Sequence, residues 1–407
     1  MKKLIIIPLL ALLCAALPAG ACTSFIISGR ATPDGRPMLF KNRDTDNLRN
    51  ALVAFADGKY RYVGVVNSDS TWRSMVWGGY NETGFAIINT AAYNNNIGDT
   101  TKLVDREGVL MKLALQCCCT LQDFERLLDT LRRPMGVDAN FGVIDAHGGA
   151  AYYETGNFRY IKFDANMAPD GIIIRTNYSE SFDRSPGYGF CRFGTAREAI
   201  DEALAAKNLT PRFLFNSVSR SLKHALTRTD LLQNIPQSAD QPDFRFFTDY
   251  ISRYSTSSSM LIVGANAPAT ARATTMWTAV GFPFTTAVVP VWLDTRGSMP
   301  AVAAMRPDDM LSPLCAAGLT LKGRCFPLKH GNARGYIDLA ALVNQQRSGI
   351  MQQLDALEDE VFSRAEGVIA AIAKGGRAAD SQVADYYRWL DAHLTSGYRR
   401  LFGLELL

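Results

Sequence analysis

The chain has 407 residues, 47% of them apolar and 20% charged, which supports one large or two modest folded domains and excludes a low-complexity chain. Its formal net charge is +4, and losing Lys2 and Lys3 with a leader takes that to +2. So small an excess, scattered along the chain, argues against a nucleic-acid or membrane-surface partner.

Lys2 and Lys3 form a positive start, and Leu4 to Leu17 is an apolar run too short to span a bilayer. Pro18 follows, and then Ala19-Gly20-Ala21, a small-residue cleavage site. Residues 1–21 therefore read as a secretory signal peptide cut after Ala21, which predicts a periplasmic or secreted protein. No later stretch reaches the roughly 20 apolar residues of a membrane span.

Short strands are predicted at 23–28 and 37–41, joined through the turn residues Pro33-Asp34-Gly35, and then at 51–56, 60–66 and 85–89. Apolar spacing of three and four predicts helices at 106–119 and 121–131. Strands resume at 141–144, 150–154, 160–163 and 172–177. Helices are expected at 196–206 and 211–225, and further strands at 260–263, 274–279 and 287–292. From about residue 337 the pattern becomes helical: Leu354, Leu357, Val361, Ala365 and Val368, a Gly375-Gly376 break, then Val383, Tyr386, Leu390 and Leu394. That predicts an αα-hairpin packed on the main body. Strands, helices and strands again predict an α+β fold with antiparallel sheets.

Of eight cysteines, Cys14 leaves with the leader. Cys315 and Cys325 are spaced for a short disulfide loop in an exported protein. Cys117, Cys118 and Cys119 fall in an apolar helical pattern and read as buried free thiols. Neither a C-x-x-C pair nor a His-rich spacing is present, so no metal site is expected, and no cofactor motif is found.

Cleavage after Ala21 would make Cys22 the first residue of the mature chain. An α-amine titrates near about 7.7–8.0 and a thiol near about 8.5, so the amine can take the thiol proton and later pass it to a leaving amine. One residue then supplies nucleophile and base. Two other readings of Cys22 exist: a chance disulfide cysteine, and a lipid-anchored cysteine in a non-catalytic surface protein. Ala19-Gly20-Ala21-Cys22 lacks the large aliphatic residue that lipidation prefers.

The order of motifs behind Cys22 bears on this choice. Cys22-Thr23-Ser24-Phe25 is followed by Leu39-Phe40-Lys41-Asn42-Arg43-Asp44, by Gly79-Tyr80-Asn81-Glu82-Thr83-Gly84-Phe85 leading to Asn89, by Asn140-Phe141-Gly142-Val143-Ile144-Asp145, and by Arg175-Thr176-Asn177. From Cys22 to about Trp292 the set resembles the N-terminal-nucleophile linear-amide hydrolases, which include choloylglycine hydrolases, penicillin V acylases and acyl-coenzyme A:6-aminopenicillanate acyltransferases. The resemblance implies a four-layer αββα sandwich over residues 22–335, carrying the hairpin at 336–407. It implies Cys22 as nucleophile, Asp44 as the carboxylate beside its amine, Asn177 as an oxyanion donor and Asn89 as the source of a second donor, with Arg192 near the site. The family's arginine three residues before the aspartate is Lys41 here, with Arg43 as the alternative. In a strand, 41 and 43 share one face and 44 lies on the other, so a bend at 42–44 is needed to bring all three to the cysteine. Asp145 and Glu154 could be taken for a paired acid and base, but a structural role on a hairpin is the expectation.

The implied activity is hydrolysis of a small acyl amide through a Cys22 thioester, without cofactor or metal. An acyltransferase with the same site, a dipeptidase of related fold and the anchored binding protein are the rivals. A homo-oligomer stays open.

Overall fold

The computed structural model describes residues 21–101, 103–182, 188–293, 297–375 and 377–407. The predicted leader lies outside these residues, except for Ala21.

Strands β1 (Thr23–Ile27), β2 (Met38–Asp44), β3 (Asn50–Phe55), β4 (Tyr62–Asn67), β5 (Gly79–Asn81) and β6 (Ala86–Ala91) come first. Helices α1 (Glu107–Cys117) and α2 (Leu121–Thr130) follow, then β7 (Ala139–Ile144), β8 (Ala150–Thr155), β9 (Tyr160–Asp164) and β10 (Ile172–Arg175). Next come α3 (Phe190–Ala205), the single turn α4 (Pro211–Leu214), and a small hairpin of β11 (Lys223–His224) and β12 (Thr229–Asp230). After β13 (Phe244–Phe246), the strands β14 (Thr256–Val263), β15 (Thr275–Ala279) and β16 (Val289–Val291) finish the larger sheets. The chain ends with α5 (Pro313–Cys325), β17 (Tyr336–Asp338), the turn α6 (Leu339–Leu342), and the long helices α7 (Ile350–Lys374) and α8 (Arg377–Phe402).

Two antiparallel sheets face each other. One runs β10-β1-β2-β14-β15-β16 and the other β3-β4-β5-β6-β7-β8-β9. The period of two along their strands explains the layering. Ala86, Ile88, Ile144, Ala150 and Tyr152 join the core between the sheets, whereas Phe85, Ile87, Phe141, Val143, Ala151 and Tyr153 join a second core under α1 and α2. The sheets approach so closely at Gly142 that a Cβ there would lie 3.0 Å from Leu39 Cδ1. Leu121, Phe124 and Leu128 turn one face of α2 onto the seven-stranded sheet, and Thr120 with Asp123 forms the capping box that starts it. On the far side, α3 and α7 cover the six-stranded sheet, with Trp277 of β15 stacked on Phe362 of α7 at 4.5 Å. Helices, sheet, sheet, helices: the expected α+β four-layer order is observed.

The predicted hairpin is α7 and α8. Gly397 lets the two helices touch, because a Cβ there would meet Leu357 Cδ1 at 2.5 Å. The hairpin is keyed into the body by a bidentate pair, Arg220 to Glu358, with both bonds at 2.7 Å and both residues buried. Residues 336–342 belong to the body rather than the hairpin, since β17 pairs with β13.

Three expectations need correction. The helix predicted over 211–225 ends at Ser219, and Lys223–His224 form a strand instead. Cys315 and Cys325 are free and sit near opposite ends of α5. Ten residues of helix put them roughly 15 Å apart, beyond any disulfide. Of the three consecutive thiols only Cys118 is buried; α1 stops at Cys117, which is exposed.

Candidate active site

Cys22 immediately precedes β1, a central strand of the six-stranded sheet, and opens onto a cleft of about 520 Å³ between the sheets. The same cleft is lined by Lys41, Arg43, Asp44, Trp77, Asn89, Ala91, Tyr93, Glu107 and Asp138, among others. Neighbouring strands place the basic residues. Thr23 pairs with Asn42 and Ser24 with Lys41, so the register carries Arg43 beside Cys22. The β14–β2 register shifts between Thr256 and Ser258, opposite Asp44 and Arg43, with the extra residue on β14, and at this end of β2 both Arg43 and Asp44 line the cleft.

Asp44 is buried. Its Oδ1 accepts from the Thr256 hydroxyl at 2.5 Å, and its Oδ2 lies 2.6 Å from Arg253 Nη2. Burial pushes the carboxyl up, and Arg253 and Arg192 pull it back down. Arg253 Nη2 also donates to the Ala21 carbonyl at 2.7 Å, so one guanidinium nitrogen touches both Asp44 and the residue before Cys22. On the other side, Arg192 Nη1 donates to the Cys22 carbonyl at 2.5 Å and to the Thr23 hydroxyl at 2.9 Å, while its Nη2 donates to Asn177 Oδ1 at 2.9 Å. Arg192 is only 1% exposed, so its guanidinium is committed to these partners rather than to solvent. Arg43 donates to Asn50 at 2.8 Å and Asn67 at 2.9 Å and lies over the Trp77 ring at 4.7 Å. Lys41 Nζ donates to the Trp77 carbonyl at 2.8 Å and to Asn89 Oδ1 at 2.7 Å. Burial brings the Lys41 amine down to about 7 and the Arg43 and Arg192 guanidinium groups down to about 10. The two arginines thus stay protonated at neutral pH. Arg43, Arg192 and Arg253 gather around Cys22 and Asp44, with Asp249 also 3.3 Å from Arg253, and such a field favours negative charge on a thiolate or an oxyanion.

Cys22, Asp44, Asn89, Arg43 and Lys41 therefore share the cleft, and Arg192 braces Cys22 from behind. Asn177 does not line it: its Nδ2 donates to the Ala91 carbonyl at 2.8 Å and its Oδ1 is held by Arg192. Asp145 and Glu154 have the expected structural work. Asp145 accepts from the backbone of Leu121, His147 and Gly149, and buried Glu154 pairs with Arg175 at 2.8 Å. Sequence reasoning missed Arg253 and Tyr93. Arg253 lies 232 residues from the carbonyl it binds, and no spacing in the sequence signals such a contact. Tyr93 has φ of 63°, rare for a bulky side chain, and packs its ring edge-on against Tyr188 at 5.7 Å.

The cleft also has an acidic stretch made by Asp99, Asp105, Glu107 and Asp138. Burial pushes the Glu107 carboxyl up to about 7 and that of Asp138 up to about 6. A raised carboxyl contributes stability in full below its unfolded pKa and loses it as pH rises through the folded value. Glu107→Gln keeps an acceptor for the Asp138 N–H, bonded at 2.9 Å, but removes the titration. Urea midpoints at pH 5 and pH 8 should therefore differ less in the variant than in the wild type; equal differences would mean that Glu107 titrates normally.

No family model and no curated protein matches the chain. Among solved structures it is similar to a Caenorhabditis elegans orthologue of N-acylethanolamine-hydrolyzing acid amidase, at 15% identity over 60% of this chain and 92% of that one, with a TM-score of 0.41. It is similar to penicillin V acylase from Agrobacterium tumefaciens at 15% identity, covering 68% and 86% of the two chains, with a TM-score of 0.39. It is also similar to a mutant conjugated bile acid hydrolase from Clostridium perfringens at 11% identity, covering 68% and 93%, with a TM-score of 0.42.

Proposed function

We propose that the protein is an exported cysteine hydrolase of linear amides, with Cys22 as nucleophile and its α-amine as base after removal of residues 1–21. The observation that carries this reading is the setting of Cys22. It lies on a cleft of small-molecule size, with its carbonyl held by Arg192 and the preceding carbonyl held by an arginine that also meets Asp44. A cut at that carbonyl frees the Cys22 amine on the same side as the Arg253–Asp44 pair, where a buried carboxylate would stabilise the ammonium formed during attack.

The thiol proton passes to the α-amine as Sγ bonds to the substrate carbonyl carbon. The tetrahedral oxyanion collapses, the C–N bond breaks, and the ammonium returns the proton to the leaving amine. Water, deprotonated by the same amine, then adds to the thioester, and the acid leaves as the thiol re-forms. Arg43 and the arginines around Cys22 support the anionic stages.

The test is the intact and N-terminal peptide mass of the exported protein before and after an amide-mimicking electrophile. The expected result is a chain that begins at unmodified Cys22 and takes one adduct there. A chain that begins elsewhere, or a lipidated Cys22, overturns the reading, the latter in favour of an anchored protein without this chemistry.

A further inference from the structure

Strand β5 pairs with β6 only at Gly79 and Tyr80, opposite Ile87 and Ala86. Asn89 lies beyond that pairing, and Lys41 reaches across from β2 of the facing sheet to meet it. Its Nζ bridges the Trp77 carbonyl and Asn89 Oδ1, and Lys41 itself is 1% exposed. As an ammonium, Lys41 can only donate, and in that form the contact sets which end of the Asn89 amide faces it. The oxygen faces Lys41, and the N–H₂ group is left without a hydrogen-bond partner among the described residues, on a side chain that is 5% exposed and lines the cleft. Open to the cleft, that donor is placed to meet an oxygen of a bound ligand.

The same logic sets Asn177 apart. Arg192 can only donate, so it holds Asn177 Oδ1, and Asn177 Nδ2 is turned to the Ala91 carbonyl. Its amide is engaged at both ends and lies outside the cleft lining.

We propose that Lys41 is a positioning residue that makes the Asn89 side chain the oxyanion donor of this site. This rests on the amidase reading above and assigns to a Lys–Asn pair the donor that the sequence resemblance assigned to Asn177. Lys41 does not touch the reacting atoms; it acts through Asn89.

The experiment measures cleavage of an N-acyl 4-nitroanilide alongside alkylation of Cys22 by iodoacetamide, which needs no oxyanion donor. Wild type, Lys41→Met, Lys41→Arg, Asn89→Asp, Asn89→Ala and the double variant Lys41→Met/Asn89→Ala are compared, with circular dichroism as the check on folding. Lys41→Met and both Asn89 variants should lose about 10²–10³ in kcat with KM little changed, as expected for one lost oxyanion donor. Their alkylation rates should stay near wild type. Lys41→Arg, which still donates to Oδ1, should recover much of the rate. The double variant should be no slower than Asn89→Ala alone. Losses that multiply in the double variant, a change in KM alone, or an Asn89→Asp enzyme with unimpaired kcat would overturn the proposal. Should the wild type alkylate at Cys22 yet cleave no anilide or other linear amide, the amidase reading itself falls, and the oxyanion role with it.

Discussion

Cys22→Ala is expected to bring amide cleavage to background, a fall of about 10⁴ or more in kcat, because no other group in the cleft can form the thioester. The substitution should leave the fold intact. Cys22 precedes β1, its backbone carbonyl keeps the Arg192 bond, and replacing a thiol by a methyl at this 7% exposed position removes one atom from the cleft floor. Unfolding in urea should shift little, which separates loss of chemistry from loss of structure. Cys22→Ser keeps a nucleophile, but a hydroxyl is far harder to deprotonate than a thiol, so its residual rate should fall between the two. The measurement is kcat together with the mass of the trapped acyl-enzyme. A Cys22→Ala protein retaining more than a few per cent of the rate would sink the mechanism.

Asp44→Asn is expected to cost both activity and stability. The amide keeps the size of the carboxylate and can still accept from Thr256, but it cannot neutralise Arg253 or Arg192. Removing one partner of a fully buried pair costs about 3–5 kcal/mol. Arg253 keeps some solvent access and a second partner in Asp249 at 3.3 Å, so about 2–3 kcal/mol is the expectation, read from urea unfolding. The rate should fall about 10²–10³, because the ammonium of Cys22 would form without a counter-charge. An Asp44→Asn enzyme as active as wild type would show that the carboxylate serves structure alone. A stable protein with a slow rate would show the reverse.

Several elements were legible because their causes are local. The alternation in 139–144 and 150–155 writes two faces into each strand, and both faces are used, one toward the opposite sheet and one toward α1 and α2. The spacing of Leu354, Leu357, Val361, Ala365 and Val368 wrote a helix, and Gly375 closed it. The end of the helix predicted to 225 was not legible. Its residues are compatible with helix, and the competing pairing of His224 with Thr229 is a contact that the 3.6-residue pattern does not encode. The disulfide expectation failed for a related reason: a spacing of ten residues suits a loop, but α5 holds the two sulfurs apart.

For the site, the sequence by itself determined the residue types and their order: a cysteine behind a cleavage motif, a Lys-Asn-Arg-Asp run closing the second strand, one asparagine on a later strand and another just past the end of β10. Those features depend on neighbours in the chain, and the chain displays them. Tertiary structure decided which of them meet. Lys41, Arg43 and Asp44 line one cleft at the end of β2, and Arg253 arrives from just before β14 to join Asp44 to the residue before Cys22. Lys41, as an ammonium, and Arg192 then orient the two amides in opposite senses, Asn89 with its N–H₂ open to the cleft and Asn177 engaged at both ends. Such choices are settled by the partners that packing puts within about 3 Å, and an amide reads the same in sequence whichever way it is turned.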